Sequence, residues 1–420
     1  MIVKKQDVMA FMFIGFSSMY FIPVQAASPE FQDFLFVACN TAQTGSDLDK
    51  RCNVDSQNGD LSGDSEDSLN PTQSLSNMAN ALAQTRSRIK ALQEKMKQQR
   101  DKNKTSMKQA QHSQSTMDRF QLAGISLLFG GGNSDLEHEL TELERGYNTD
   151  SIKFQAGVDY RLADDWIVGS MLSFENDDTK FDADLAGRNF DPGNTEGESS
   201  ADTISLNLFT TKNINESFYF DALISYSWSD YNFSRVALFQ ESTRTIPTLD
   251  VVTDADSSGK QLALGLGIGW DYSISGHNYQ AYSRINYQKS KIDAYSETGG
   301  SGFAMQVAGK KENETLLTLG LKYSYAINTS SAVIVPQIFA EYENLLESKK
   351  QSTQSRFISD TSGAEFTVLG DEIDKQYGRA GIGLVAVLPN GWTIFASIDE
   401  EFNKNLIEQM QFNAGLRLEF

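Results

Sequence analysis

Cysteine, histidine and proline are scarce in this chain, and long apolar runs are scarcer still. Two cysteines in 420 residues, Cys39 and Cys52, exclude a disulfide-framed scaffold and any cysteine-rich metal module. The two stand thirteen positions apart with no histidine flanking them, and in an oxidising compartment such a pair closes a small disulfide loop. Three histidines, His112, His138 and His277, leave little imidazole for metal or general-base work. Basic residues are few for the length: 36 Lys and Arg against 56 Asp and Glu give a net charge of −20. That argues against nucleic acid, which is bound through a basic surface. Beyond the first 24 residues no apolar run approaches the roughly 20 residues that a membrane-spanning helix needs. A soluble secreted protein is the default, unless the membrane is crossed by strands, which need only about 9–11 alternating residues each.

The start of the chain sets the compartment. Lys4 and Lys5 precede an apolar run from Val8 to Val24, interrupted by Ser17, Ser18 and Pro23, and Val24-Gln25-Ala26 places small residues where a signal peptidase cuts. Residues 1–26 are therefore expected to be a secretory signal, which routes the chain through the Sec translocon. Residues 27–70 hold a short apolar patch (Phe31, Phe34, Leu35, Phe36, Val37) and then a tract rich in acidic and small residues. Little regular structure is expected there apart from the disulfide loop. The acidic run from Asp55 to Asp67 lacks the ligand spacing of a calcium loop. Gly63-Asp64-Ser65 matches an esterase nucleophile block but has no preceding apolar strand to hold it.

From Pro71 the period changes to that of a helix. Leu75, Met78, Leu82, Ile89, Leu92 and Met96 recur at heptad a and d spacing, with Thr85 at one d position. Between Arg86 and Lys108 nine basic residues, Arg86, Arg88, Lys90, Lys95, Lys97, Arg100, Lys102, Lys104 and Lys108, face two acids, which leaves about −27 for the rest of the chain. A basic helix followed by an acidic remainder suggests a helix, within residues 71–118, lying inside something acidic. The plain alternative is a solvated face.

From Phe120 onward the period is two. Twelve candidate strands are centred on Gly124, Gly157, Ser170, Leu206, Ile224, Leu266, Arg284, Leu321, Ile338, Leu384, Ala396 and Ala414. The stretch Leu262, Leu264, Leu266, Ile268, Trp270, Tyr272 and Ile274 forms one face, and the residues between them form a glycine-rich opposite face. Connections alternate in length. Those at 163–165, 213–216, 275–278, 328–331 and 388–391 are tight; those at about 130–150, 177–200, 234–258, 292–313 and 345–374 are long and polar. Strict short–long alternation is the pattern of an outer-membrane barrel. Tyr160, Trp166, Tyr272, Tyr279, Tyr325 and Trp392 cluster beside the short turns, where an aromatic girdle meets the interface. The last residues, MQFNAGLRLEF, alternate to the final Phe420, as expected of a strand that closes onto the first. The fold expected is all-β: a 12-stranded antiparallel transmembrane barrel over residues 119–420.

Residues 120–420 resemble the translocator domain of autotransporters (type V secretion). The resemblance rests on AGVDYRLADDWIVGSMLSF, INYQKSKIDAYSETGGSGFAMQV, LTLGLKYSYAINTSSAVIVPQIFAEYE and NAGLRLEF, in that order and spacing. It implies a helix threaded through the lumen, outer-membrane lipid around a single-chain barrel, and a passenger at the cell surface. It also implies that Phe412, Leu416, Leu418 and Phe420 form the signal read by the barrel-assembly machinery. In such a barrel, inward Gly265, Gly267, Gly269, Gly381 and Gly383 would leave room for the helix. Asp159, Asp221, Asp271, Glu341 and Asp399, inward by alternation, would face its positive charges. Family passengers usually run to hundreds of residues; here about 45 separate the expected signal from the helix. No cofactor, metal or catalytic residue is expected. The alternatives are a plugged pore, an adhesin or a structural barrel, and a barrel-embedded hydrolase, for which only His138, read as an exposed loop residue among Asp135, Glu137 and Glu139, is suitably placed.

Overall fold

The computed structural model describes residues 37–46, 73–110 and 124–420, apart from 142, 164, 184–195, 240–248, 348, 350, 361 and 390; side chains at 97–110 and 237–251 are not described. The expected signal, Cys52, the acidic tract with Gly63-Asp64-Ser65, and His112 lie outside the described residues.

Twelve antiparallel strands form the wall: β1 (Ile125–His138), β2 (Tyr147–Ala163), β3 (Trp166–Phe181), β4 (Glu198–Asn213), β5 (Phe218–Phe239), β6 (Leu249–Ile274), β7 (His277–Ile292), β8 (Lys310–Tyr325), β9 (Val333–Glu347), β10 (Gln376–Val387), β11 (Trp392–Phe402) and β12 (Ile407–Glu419). Each pairs with its sequence neighbours, and β1 pairs with β12 from Ser126↔Glu419 to His138↔Ile407, so the ladder closes. The Phe420 N–H donates to the Ile125 carbonyl at 3.1 Å, sealing the seam to its last residue. Closure follows from the solvent: in hydrocarbon an unpaired backbone group costs several kcal/mol, and only a closed sheet has no edge.

Alternation then sorts the side chains. On β6, Leu264, Leu266, Ile268, Trp270, Tyr272 and Ile274 are exposed outward, while Ala263 and Asp271 are buried inward. The six girdle aromatics all point outward beside the short turns. One of those turns is minimal. Ile274 and His277 are joined by Ser275 (φ 48°) and Gly276 (φ 85°), the paired left-handed conformation of a two-residue hairpin turn whose twist matches the strands.

Three expectations change. The first strand does not centre on Gly124, which is a left-handed turn residue (φ 89°) ahead of it. Gly130, Gly131 and Gly132, read as the start of a loop, lie within β1, and Lys95 of the helix fills the space where a Gly130 side chain would stand. Second, the 234–258 connection is mostly strand. β5 and β6 run 22 and 26 residues and stay paired to Phe239↔Leu249, far beyond what a bilayer requires. Third, the connections after β7 and β9 fold together. Tyr295–Ser296, Met305–Val307, Ser352–Phe357 and Phe366–Leu369 form a four-stranded cap sheet, with Phe303, Met305, Val307, Phe357 and Val368 in its core. Ala38, from a helical turn at 37–41, is buried in that core, so this part of the N-terminal segment is packed and not unstructured.

The inward glycines make room, but chiefly for the wall itself. Aromatic rings lie flat across the glycine paired with them on the next strand: Phe209 over Gly169, Tyr219 over Gly269, Tyr282 over Gly320, Phe339 over Gly381 and Phe395 over Gly415. A Cβ on Gly269 would stand 2.2 Å from the Tyr219 ring, whereas one on Gly383 would approach nothing closer than 3.4 Å. Overpacking of this kind costs about 1–3 kcal/mol. Gly269→Ala is therefore expected to lower the temperature at which the compact, faster-migrating band is lost on unboiled detergent gels, and Gly383→Ala to leave it unchanged. Equal melting of the two variants would refute the ring-over-glycine account.

Candidate functional site: the helix in the lumen

The lumen is filled by one helix, α1 (Gln73–Ala110). Its N-terminus stands at the long-loop end: Lys310 donates to the Ser74 carbonyl, and Leu75 enters the core of the cap sheet. From there the helix descends toward the short-turn end, where β1 begins. The apolar heptad positions are spent on the wall. Met78 and Leu82 pack with Ala201, Tyr231 and Ile292; Ile89, Leu92 and Met96 pack with Leu128, Met171, Phe209, Leu223 and Ala263. The seam that would pair two helices in a coiled coil here pairs a helix with a sheet.

Polar helix residues each meet a matched group of the wall. Asn80 Nδ2 donates to the Thr149 and Thr179 hydroxyls at 3.0 Å each. Gln84 donates to Ser151 at 2.6 Å, Thr85 to Gln261 at 2.7 Å and Gln93 to Asn286 at 2.8 Å. Thr85, the polar intruder in the heptad, thus marks a contact with the wall.

Charge is matched most closely. Arg88, 1 % exposed, donates from Nε and Nη2 to Oε2 of Glu175 at 3.0 and 2.8 Å, and from Nη1 to the Ser227 hydroxyl at 2.6 Å. Arg86 pairs with Glu314 at 2.6 Å. Lys90 bridges Glu343 at 2.9 Å and Glu401 at 2.6 Å. Lys95 donates to Gln155.

The ion-pair partners of the described helix cations are other acids than the five expected. Asp159, Asp221, Asp271, Glu341 and Asp399 are all buried inside the barrel, and four of them are held by residues of the wall. Arg417 holds Asp159 at 3.0 Å, Arg379 holds both Glu341 and Asp399 at 2.7 Å, and Thr211 donates to Asp221 at 2.6 Å. The described helix cations instead take Glu175, Glu314, Glu343 and Glu401. Glu343 and Glu401 stand one inward step nearer the long-loop end than Glu341 and Asp399. Alternation places both sets on the same face, and only the depth of the helix in the barrel separates them. Lys97, Arg100, Lys102 and Lys104 lie on the stretch of α1 whose side chains are not described.

The remaining candidates fall as follows. Cys39 lies against the cap core, while its expected partner Cys52 is outside the described residues. Phe412 is exposed on the outer face of β12 and Phe420 is exposed just past its end, with Leu416 and Leu418 between them. His277 pairs with the Tyr323 hydroxyl at 2.8 Å at the short-turn end. His138 is not an exposed loop residue. It ends β1 pointing inward and is 5 % exposed, with Glu144 and Asp371 beside it and Glu139, of the sequence-adjacent acids, also acting on its ring.

Breaking a buried ion pair by removing one partner costs about 3–5 kcal/mol, because the other charge is left stranded, whereas exposed pairs contribute about 0–1 kcal/mol. Arg88→Met is therefore expected to lower the urea midpoint of the detergent-solubilised protein strongly. Arg88→Met with Glu175→Met should recover much of that loss. Lys291→Met, which breaks an exposed pair with Asp293, should change little. A double variant no better than Arg88→Met alone would contradict the pairing account.

Comparison with known proteins places this architecture. Residues 128–399 match the autotransporter beta-domain family. The translocator domain of autotransporter NalP from Neisseria meningitidis superposes with a TM-score of 0.57 at 15 % identity, over 83 % of this chain and 99 % of that one. Among curated proteins, Outer membrane protein A of Rickettsia conorii is 25 % identical over 217 residues, and Lipase 1 of Photorhabdus luminescens is 22 % identical over 305 residues. Those matches cover 50 % and 70 % of this chain but only 10 % and 40 % of the two relatives. The chain belongs to the autotransporter beta-domain family and is a translocator barrel of the Gram-negative outer membrane.

Proposed function

We propose that the barrel presents the segment ahead of its helix at the cell surface and keeps the helix in the lumen as a permanent plug. The observation that carries this reading is the shared core of Ala38, Leu75 and the cap sheet. Ala38 ahead of α1, Leu75 in its first turn and the surface connections pack together at the long-loop end, which in this family is the outer face. In this reading residues 1–26 are the cleaved signal, 27–70 the displayed segment with a Cys39–Cys52 loop, 71–118 the helical linker and 119–420 the barrel. Translocator barrels typically move polypeptide and do no chemistry, and the reading assigns no catalytic step; the lipase name belongs to a relative of which this chain spans 40 %. The barrel sits in outer-membrane lipid and reaches it by the general Sec and barrel-assembly route of its family. The finer proposal is that Phe412, Leu416, Leu418 and Phe420 form the assembly signal.

An epitope inserted after Ser46 should bind antibody on intact cells. Binding only after permeabilisation would refute surface display. The plugged-pore reading is tested separately: reversing Arg86, Arg88 and Lys90 to Glu should raise single-channel conductance of the purified barrel, and unchanged conductance would remove the plug. For assembly, Leu418→Asp places a charge on the lipid face, a change worth up to about 2–4 kcal/mol at the bilayer midplane and less near its edges. It and deletion of Phe420 should each reduce the amount of barrel in outer-membrane fractions; normal insertion of both would count against the signal.

A further inference from the structure

His138, Glu144 and Asp371 converge at the long-loop rim from three separate segments: the end of β1, the connection into β2, and the connection that leads to β10. One ligand-type atom from each lies within 4.8 Å of the others, and His138 Nε2 stands 3.8 Å from Asp371 Oδ2. The arrangement is held on all sides. The His138 ring stacks on Tyr147, with centroids 4.8 Å apart and planes 8° apart. Thr141 Oγ1 donates to Asp371 Oδ2 at 2.7 Å, and the Asp371 backbone N–H donates to Glu144 Oε1 at 2.7 Å.

These groups line a cavity of about 60 Å³ between the wall and α1, well above the roughly 10–15 Å³ that one water needs. His138 Nδ1, the Tyr147 hydroxyl and Gln351 Oε1 are among the polar atoms of lining residues that make no hydrogen bond among the described residues. Their residues are only 5 %, 1 % and 7 % exposed. Buried polar atoms are normally satisfied, and a cluster of such atoms in one cavity points to a missing occupant. Cations around the cavity are engaged elsewhere. Arg86 is bound to Glu314 and Lys404 to Glu401, while Lys310, whose charge acts on Glu144, donates to the Ser74 carbonyl.

We propose that this pocket binds a first-row divalent transition ion, with Zn²⁺ as the best fit. One imidazole and two carboxylates form a nitrogen–oxygen set with a position open for water, which suits Zn²⁺. Ca²⁺ and Mg²⁺ take oxygen ligands and more of them. Zinc bonds of about 2.0–2.2 Å put tetrahedral ligand atoms roughly 3.4 Å apart, so the three side chains must draw in by about an ångström, which rotamer adjustment supplies. The two carboxylates neutralise the ion, and Tyr147 and Gln351 remain to hold its water. Because the ligands come from β1 and two surface connections, and Ala83 and Arg86 of α1 line the same cavity, a bound ion would clip those connections over the helix.

The test uses the full chain without a polyhistidine tag, stripped with EDTA in detergent micelles and titrated with ZnCl₂, with CaCl₂ and MgCl₂ as controls. Zinc alone is expected to remain on the protein at one ion per chain after gel filtration. It should raise the melting temperature by several degrees, reversibly on adding EDTA. Glu144→Gln and Asp371→Asn keep the size of the side chains and an acceptor for the Asp371 N–H and the Thr141 hydroxyl. Each should weaken zinc affinity at least about tenfold, read as the response to zinc within each variant, so a lower starting stability does not obscure the result. Absence of retained zinc and of any shift in the unaltered protein would overturn the site and leave water as the occupant. An equal zinc response in both variants would overturn it by placing the ion at another histidine. An equal response to Ca²⁺ would overturn the metal class.

Discussion

Everything in this structure depends on backbone polar groups having no water to bond in hydrocarbon. A sheet meets that demand only when its last strand pairs with its first, and β1 with β12 does so along thirteen residue pairs. Once the ladder closes, every second side chain must point inward, whatever its chemistry. The interior is then too wide for the wall alone to fill. Rings laid over glycines thicken the wall locally, and α1 occupies the remainder. The inward acids of the wall need counter-charge, and it comes both from wall arginines such as Arg379 and Arg417 and from the helix.

Much of this was legible in the sequence because a strand's period of two is a strict geometric fact. The Leu262–Ile274 face, the girdle aromatics and the tight Ser275-Gly276 turn could be read from order alone. So could the helix, since its heptad and its basic run coincide. Depth along the barrel axis was not legible. Alternation reports which face a residue takes and not how far along the axis it stands, so Glu341 and Asp399 were indistinguishable from Glu343 and Glu401. The cap sheet was hidden for a different reason: its strands are two to six residues long, too short for periodicity to rise above a polar loop. His138 was misread because its acidic neighbours in sequence suggested a loop, whereas it is buried with Glu144 and with Asp371 from a connection more than two hundred residues away.

Glycine illustrates how one residue type carries two messages. In Gly130-Gly131-Gly132 it resembled a loop and is a strand, in which Gly130 leaves space for Lys95. In Gly124 it resembled the centre of a strand and is a turn. The distinguishing signal is the backbone angle, which the sequence does not print.

The sealed pairing of α1 with the wall has a kinetic consequence. Arg88 and Lys90 are held at buried wall carboxylates. Sliding the helix along its axis would pull both cations off those carboxylates at once. Withdrawal therefore has no low-barrier path while the wall is closed, and amide exchange along the upper helix should track rupture of the β1–β12 seam in place of local fraying. By the same logic the helix enters before or during closure, and the last wall hydrogen bonds to form lock in place whatever the lumen then contains.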